Sequence, residues 1–334
     1  MLLVIEPTGA DATENLYGAG LVRGALACGV EARRLAVADA QAAAEALRAA
    51  GAAQVVIDAR LLAGLDEGIA LSPGLAAILQ HESALGPRDQ IDPRAYESLS
   101  RLRRVVVPGA AAAEALAARV AISPEQILTL PPGTDPADRA SGAGNGCALL
   151  WHGRCLDDAA ILLGALRRLP DLDWSLRLAV PATAVAPIGV ERVCAVDARD
   201  RVAMENAWND TDLLAVVSDW HLSDQSLRDG LRRGVPAVVC AGGGAGEALE
   251  ADLGLGVSPG DAEQLSKALR RMIFDRPLRT GMAEAACRRG GALPGWDMQA
   301  RTLLATLAAR AARSLPCRGF CRDGRTCSSL ATRR

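Results

Sequence analysis

Short apolar runs and longer amphipathic stretches alternate from one end of the chain to the other. LLVIEP (2–7), QVVID (54–58), RVVVP (104–108) and ILTLPP (127–132) are apolar runs of strand length, the form taken by strands buried on both faces. Between them apolar residues recur at three- and four-residue spacing. In AAAEALAARVA (111–121), Ala112, Leu116 and Val120 share one helical face. The stretch PPGTDPADRASGAGNG (131–146) is rich in Pro, Gly, Asp and Ser and has the composition of a linker. After it the alternation restarts. ALLWHG, SLRLAVP, RVCAVD, DLLAVVS and PAVVCA predict strands, and ILLGALRRL, QSLRDGLRRG and AEQLSKALRRMIFD predict helices. Asp261, after Pro259-Gly260, is placed to cap the last of these.

Strands alternating with helices argue for parallel sheets covered on both faces. The expected fold is α/β, with two Rossmann-like doubly wound domains facing a cleft. The first spans 1–135 and the second 148–292, with a linker over 136–147. Such sheets bind ligands outside the carboxyl ends of their strands, so the cleft is the expected site.

Composition narrows the picture. Half of the 334 residues are hydrophobic but only 3% are aromatic, so the cores must be built from Ala, Leu and Val. The net charge is −2 and no basic stripe precedes the tail, which argues against a nucleic-acid partner. No apolar run reaches the roughly 20 residues of a membrane helix, and MLLVIEPTG lacks a basic leader region. The expected location is cytoplasmic, with peripheral membrane contact left open. Six of the nine cysteines (Cys28, Cys147, Cys155, Cys194, Cys240, Cys287) are scattered singly and read as reduced thiols. The other three, Cys317, Cys321 and Cys327, lie among five arginines in LPCRGFCRDGRTCSSLATRR. With no histidine near to complete a zinc site, residues 313–334 read as a disordered tail, metal binding or redox pairing being the alternatives. Serine-nucleophile, P-loop and zinc-protease motifs are all missing, and three histidines (His81, His152, His221) are too few for a His-rich metal site.

The stretch DWHLSDQSLRDGLRRGVPAVVCAGGGAGEAL (219–249) passes from a loop into a helix, through Gly234-Val235-Pro236 into a strand, and into a glycine turn. It resembles the donor-binding segment of family 4 glycosyltransferases of the GT-B type. The resemblance extends over roughly residues 1–312. Residues 104–136 resemble the close of the family's first domain, and 257–286 its closing module. LPGWDMQARTLLATLA (293–308) resembles its last helix, so that 293–312 is expected to cross back onto the first domain.

The resemblance implies a retaining transferase that takes a sugar from a nucleotide-diphosphate sugar, with no metal and no further cofactor. The acceptor, whether glycan, lipid or small molecule, is not specified. On this reading His221 and Asp229 occupy the two glutamate positions of the family motif, which hold the donor sugar and the ribose. Arg154, after Gly153, would clamp the diphosphate, although Asp157-Asp158 stand where a lysine is expected. Gly18 and Gly20 would let a loop approach the phosphates, and His81 would touch the donor sugar. Gly243, Gly244 and Glu247 would form the turn and helix start beside the nucleotide. Two alternatives stand beside this one: a non-catalytic relative acting as a regulatory or assembly partner, and a sugar-nucleotide epimerase on the same fold.

Overall fold

The computed structural model describes residues 1–8, 16–51, 53–65, 74–81, 84–87, 91–152, 156–180 and 191–313. Two six-stranded, wholly parallel sheets organise them. β1 (Leu2–Pro7), β2 (Ala32–Val37), β3 (Gln54–Asp58), β4 (Leu75–Ile78), β5 (Val105–Val107) and β6 (Ile127–Thr129) lie in the order β2-β1-β3-β4-β5-β6. β7 (Cys147–His152), β8 (Trp174–Val180), β9 (Val193–Asp197), β10 (Leu213–His221), β11 (Ala237–Gly243) and β12 (Gly254–Gly256) lie in the order β12-β11-β10-β7-β8-β9. Connections run to opposite sides from β1 and from β7. The crevices between β1 and β3, and between β7 and β10, are therefore the switch points where such sheets receive ligands.

Helices cover both faces. α1 (Leu16–Ala27), α2 (Ala40–Ala49), α3 (Pro93–Leu99) and α4 (Ala110–Arg119) pack on the first sheet. α5 (Leu156–Leu166), α6 (Arg201–Asn209), α7 (Gln225–Arg232), α8 (Gly244–Ala248), α9 (Ala262–Phe274) and α10 (Arg276–Gly291) belong to the second. Each sheet has an aliphatic core on either face, built mainly from Leu, Val, Ile and Ala. The Asp261 carboxylate accepts from Gln264 N–H at 2.8 Å, as its capping role requires.

Three strands lie outside the sequence expectation. β2, ARRLAV, is an edge strand with two exposed arginines. β4, LAAI, is wholly buried but half alanine, a weak strand former. β12, GLG, is three residues at the other edge. Val120 sits beyond the end of α4 in extended conformation, although it continues the apolar face in sequence. β10 runs on to His221, where a loop was expected, and pairs there with Gly243 of β11.

α11 (Trp296–Arg313) crosses back and packs on α1 of the first domain. Its anchor is Trp296, whose ring meets Tyr17 edge-on at 5.5 Å. Gly20, Gly24 and Gly133 present bare backbone to Trp296, and a Cβ on any of them would overlap it. The linker strand is fixed at Thr134, which bridges to Gly295, and Gln299 donates to Pro131 O at 2.6 Å. The 314–334 tail and its three cysteines lie outside the described residues.

Candidate functional site

The two domains touch through the carboxyl ends of their strands. Beyond Ser218 of β10, the Trp220 indole donates to Ala84 O at 3.1 Å, in the segment that follows β4. Its ring lies over Gly86, 2.5 Å from where a Cβ would stand. Leu222 is fully buried in the first domain's core. Past β11, the Glu247 carboxylate accepts from Ala111 N–H at 2.7 Å, at the start of α4. Both sheets therefore direct their carboxyl ends at one cleft.

On the second domain's side, His152 ends β7, and His221 ends β10 opposite Gly243 of β11, beyond the last residues that pair β10 with β7. Both are half-buried. His152 Nδ1 lies 3.1 Å from Ser226 Oγ in the first turn of α7. Three residues further along α7, Asp229 is half-buried, and Gln225 Nε2 donates to its Oδ1 at 2.9 Å. Burial raises the Asp229 carboxyl to about 7, against the pull of Arg233 and of the Gln225 hydrogen bond. Asp224 and Arg228 form a nearly buried ion pair at 2.7 Å on the same helix. α7 ends where Gly234, at φ +70°, turns the chain toward Pro236, a conformation that favours glycine.

The first domain contributes a polar cluster at the ends of β1, β3 and β4. Glu6, Asp58 and Gln80 are all buried. Gln80 Nε2 donates to Asp58 at 2.8 Å and to Glu6 at 3.2 Å. Gln80 Oε1 accepts Gly18 N–H at 3.0 Å. Arg34 pairs with Glu6, and Arg60 with Asp58. Two buried carboxylates are thus each matched by an arginine, and Gln80 joins them to the start of α1. A Cβ on Gly18 would collide with the Glu6 carboxylate.

The residues singled out in the sequence take these places. His221 ends β10 opposite Gly243, Asp229 lies on α7 bonded to Gln225, and His81 is half-buried immediately after Gln80. Gly18 adjoins the polar cluster. Gly20 does not face the cleft: its missing Cβ makes room for the Trp296 ring. Gly243, at φ +75°, and Gly244 lie against the backbone of His221 to Ser223, where side chains would clash. Glu247 is exposed, and its carboxylate accepts from Ala111 N–H of α4, linking the domains. Gly242, Gly243, Gly246 and Glu247, with Gln264 and Ser258, line a cavity of about 450 Å³. Arg154 lies outside the described residues, as does Gly153, and the side chains of Asp157 and Asp158 are not described. Among the described residues, no group of three or more His, Cys, Asp or Glu is arranged to hold a metal ion.

Sequence reasoning overlooked the Glu6–Gln80–Asp58 cluster, the His152–Ser226 contact and the role of Trp220. A signal existed for the cluster, since an acid closes the apolar runs LLVIE and QVVID.

No family model and no curated protein matches the chain. Solved structures do. HepE of Anabaena, in complex with UDP and glucose, superposes with a TM-score of 0.74 at 15% identity, over 92% of this chain and 99% of that one. Sucrose-phosphate synthase of Thermosynechococcus elongatus gives 0.74 at 15% identity, over 94% and 100%. The lipopolysaccharide outer core galactosyltransferase WaaB gives 0.59 at 11% identity, over 92% and 99%. The fold is that of GT-B glycosyltransferases, over nearly the whole described chain. HepE has also been solved with UDP-glucose. Among the described residues no helix is long and apolar enough to cross a membrane.

Proposed function

We propose that the protein transfers a sugar from a nucleotide-diphosphate sugar to an acceptor hydroxyl with retention at the anomeric carbon. The observation that carries this is the fold, two parallel sheets whose carboxyl ends meet at one cleft, with the switch point between β7 and β10 opening toward the first domain. Asp229 would accept from ribose hydroxyls, His221 and His81 would orient the donor sugar, and Arg154 would meet the diphosphate. Domain closure would exclude water from the cleft. In the reaction the bond from the anomeric carbon to the diphosphate oxygen breaks, and its electron pair leaves with the diphosphate. The acceptor oxygen bonds to the same carbon, and the acceptor's proton passes to the released diphosphate. The work of the protein is to hold the sugar as positive charge develops and to stabilise the leaving group. The scheme requires only the donor and the acceptor, so no metal or other cofactor is invoked.

The test is turnover with UDP-, GDP-, ADP- and dTDP-sugars, followed as release of the nucleoside diphosphate. One base should support release, and Asp229→Ala should abolish it while leaving the melting temperature within a few degrees. Unchanged release in Asp229→Ala would remove Asp229 from the site.

A specific observation favours a second reading, a non-catalytic member of the fold acting as a regulatory or assembly partner. Trp220 and Leu222, on either side of His221, are docked into the first domain, and Glu247 is bound to α4. On that reading the donor-side segments serve to join the domains, and no sugar nucleotide is turned over.

A further inference from the structure

We propose a second ligand site, at the end of the second sheet opposite the cleft, which takes a small phosphate-bearing anion and ties the linker to α10. A cavity of about 180 Å³ lies there, and its walls include Arg139, Asp212, Gly234, Arg276, Arg279 and Thr280. Asp212 immediately precedes β10, and Gly234 leads through Val235-Pro236 into β11. The Asp212 N–H donates to Ala148 O at 2.8 Å, at the start of β7. The cavity thus stands at the amino ends of β7, β10 and β11, whereas the cleft stands at their carboxyl ends. Occupancy here does not depend on a donor in the cleft.

Three arginines reach this cavity from two elements. Arg276, Arg279 and Thr280 are three and four residues apart on α10 and so share a face. Arg139 comes from the linker, whose backbone is pinned beside it. Ala140 N–H donates to Arg233 O at 2.9 Å, and Ser141 and Gly142 N–H donate to Asn209 O at 2.8 and 3.0 Å. The Arg139 stem lies over Gly234, where a Cβ would stand 3.4 Å from Arg139 Cγ. Arg279 is 7% exposed, and its Nη1 donates to Met272 O at 2.7 Å and Ile273 O at 2.9 Å, in the last turn of α9. Among the described residues its Nε and Nη2 make no hydrogen bond, yet neither is sealed from solvent. Arg139 and Arg276 are exposed and have no ion-pair partner among the described residues. The one carboxylate on the wall, Asp212, accepts from Ala148 N–H at 2.9 Å and Ala143 N–H at 3.2 Å, so the backbone already answers its charge. Nearby, Asp275 caps α10 through Leu278 N–H, and Asp210 pairs with Arg177. Three guanidinium groups against one engaged carboxylate leave the cavity cationic, and their planar forks match phosphate oxygens. At about 180 Å³ the cavity is smaller than an ordinary cofactor pocket, which suits phosphate or a small phosphate monoester.

The test uses the full chain and inorganic phosphate, titrated calorimetrically at constant ionic strength with chloride as the control anion. Wild type should bind phosphate, and saturation should slow amide exchange at 139–143 and 276–283. Arg139→Gln and Arg276→Gln should each weaken binding about tenfold to a hundredfold, the range for a lost hydrogen bond to a charged group, and leave the melting temperature without phosphate unchanged. Arg276→Lys, which keeps the charge but not the fork, should recover part of the loss. Arg279 also holds the end of α9, so its replacement is left out of the comparison. Phosphate bound equally well by wild type and by the Arg139→Gln/Arg276→Gln double variant would overturn the proposal. An equal response to chloride would reduce the effect to charge screening and overturn it too. Protection confined to the carboxyl ends of the strands would put the phosphate in the cleft, which overturns this site and favours the donor reading. A wild type that binds no phosphate would overturn this site and leave the donor reading as it stands.

Discussion

Replacing Gly20 by alanine separates two explanations of the same glycine. At an unobstructed position inside a helix, Gly→Ala stabilises by roughly 1 kcal/mol, because alanine has the better helix propensity and restricts the unfolded chain. Gly20 is within α1, but a Cβ there would lie 2.5 Å from Cε3 of Trp296 and closer still to neighbouring ring atoms. Trp296 is itself 6% exposed and held between α1, the linker and Tyr17, so the ring has little room to yield. Overpacking of this kind costs roughly 1–3 kcal/mol, which offsets the propensity gain and leaves a net loss of up to about 2 kcal/mol. The assay is urea denaturation of wild type, Gly20→Ala, Trp296→Leu and the double variant. Gly20→Ala should lower the midpoint in the wild-type background and be neutral or stabilising once Trp296 is gone, a coupling of at least about 1 kcal/mol. A Gly20→Ala variant more stable than wild type would refute the packing role and return Gly20 to the cleft.

Other perturbations have equally definite outcomes. The Asp229 carboxyl is raised to about 7 by burial, whereas in the unfolded chain it titrates near an ordinary aspartate's value of about 3.9. Between those values the native chain holds the extra proton, so this group's contribution to stability falls as pH rises from about 4 to 7 and is level outside that window. Asp229→Asn should remove the slope, a relative gain on the order of 4 kcal/mol at pH 8 over pH 4, and denaturation at both pH values would read it; parallel curves would rule the shift out. Trp220→Ala deletes the indole bond to Ala84 and the contact over Gly86. It should cost about 3 kcal/mol and enlarge the radius of gyration seen by small-angle scattering, and an unchanged radius would contradict its role in joining the domains. Gln80→Leu leaves two buried carboxylates without their shared donor; a loss of roughly 2–4 kcal/mol is expected, and a midpoint equal to wild type would show that the arginines suffice.

The alternation of apolar runs and amphipathic stretches made the two-sheet plan legible, because strands buried on both faces have little choice of composition. What it missed follows the same logic. β2 carries arginines because it is an edge, β4 is half alanine and contributes to the cores on both faces of its sheet, and β12 is too short to show a period. In the site, Gly20 was assigned to the nucleotide's phosphates and packs instead against Trp296. A glycine near a helix start reads the same whether a ligand or a tryptophan from 276 residues further along occupies the space, and only the crossing of α11 distinguishes them. Glu247 likewise shows as a helix-start acid in sequence, and its partner Ala111 is brought to it only by the docking of the two domains. Scarcity was a usable signal left unread. In a chain with 3% aromatic residues, Trp296 and Trp220 each mark a junction between domains.

The most direct test of the donor reading is hydrogen–deuterium exchange of the full chain with and without saturating nucleoside diphosphate of the base selected by the turnover panel, or of each of the four in turn if none is turned over. A donor seated between β7 and β10 should slow exchange at 147–152 and 218–230 and leave the back of the second sheet unchanged. Protection confined to other segments, or no protection with any of the four, would contradict a nucleotide-sugar site in this cleft.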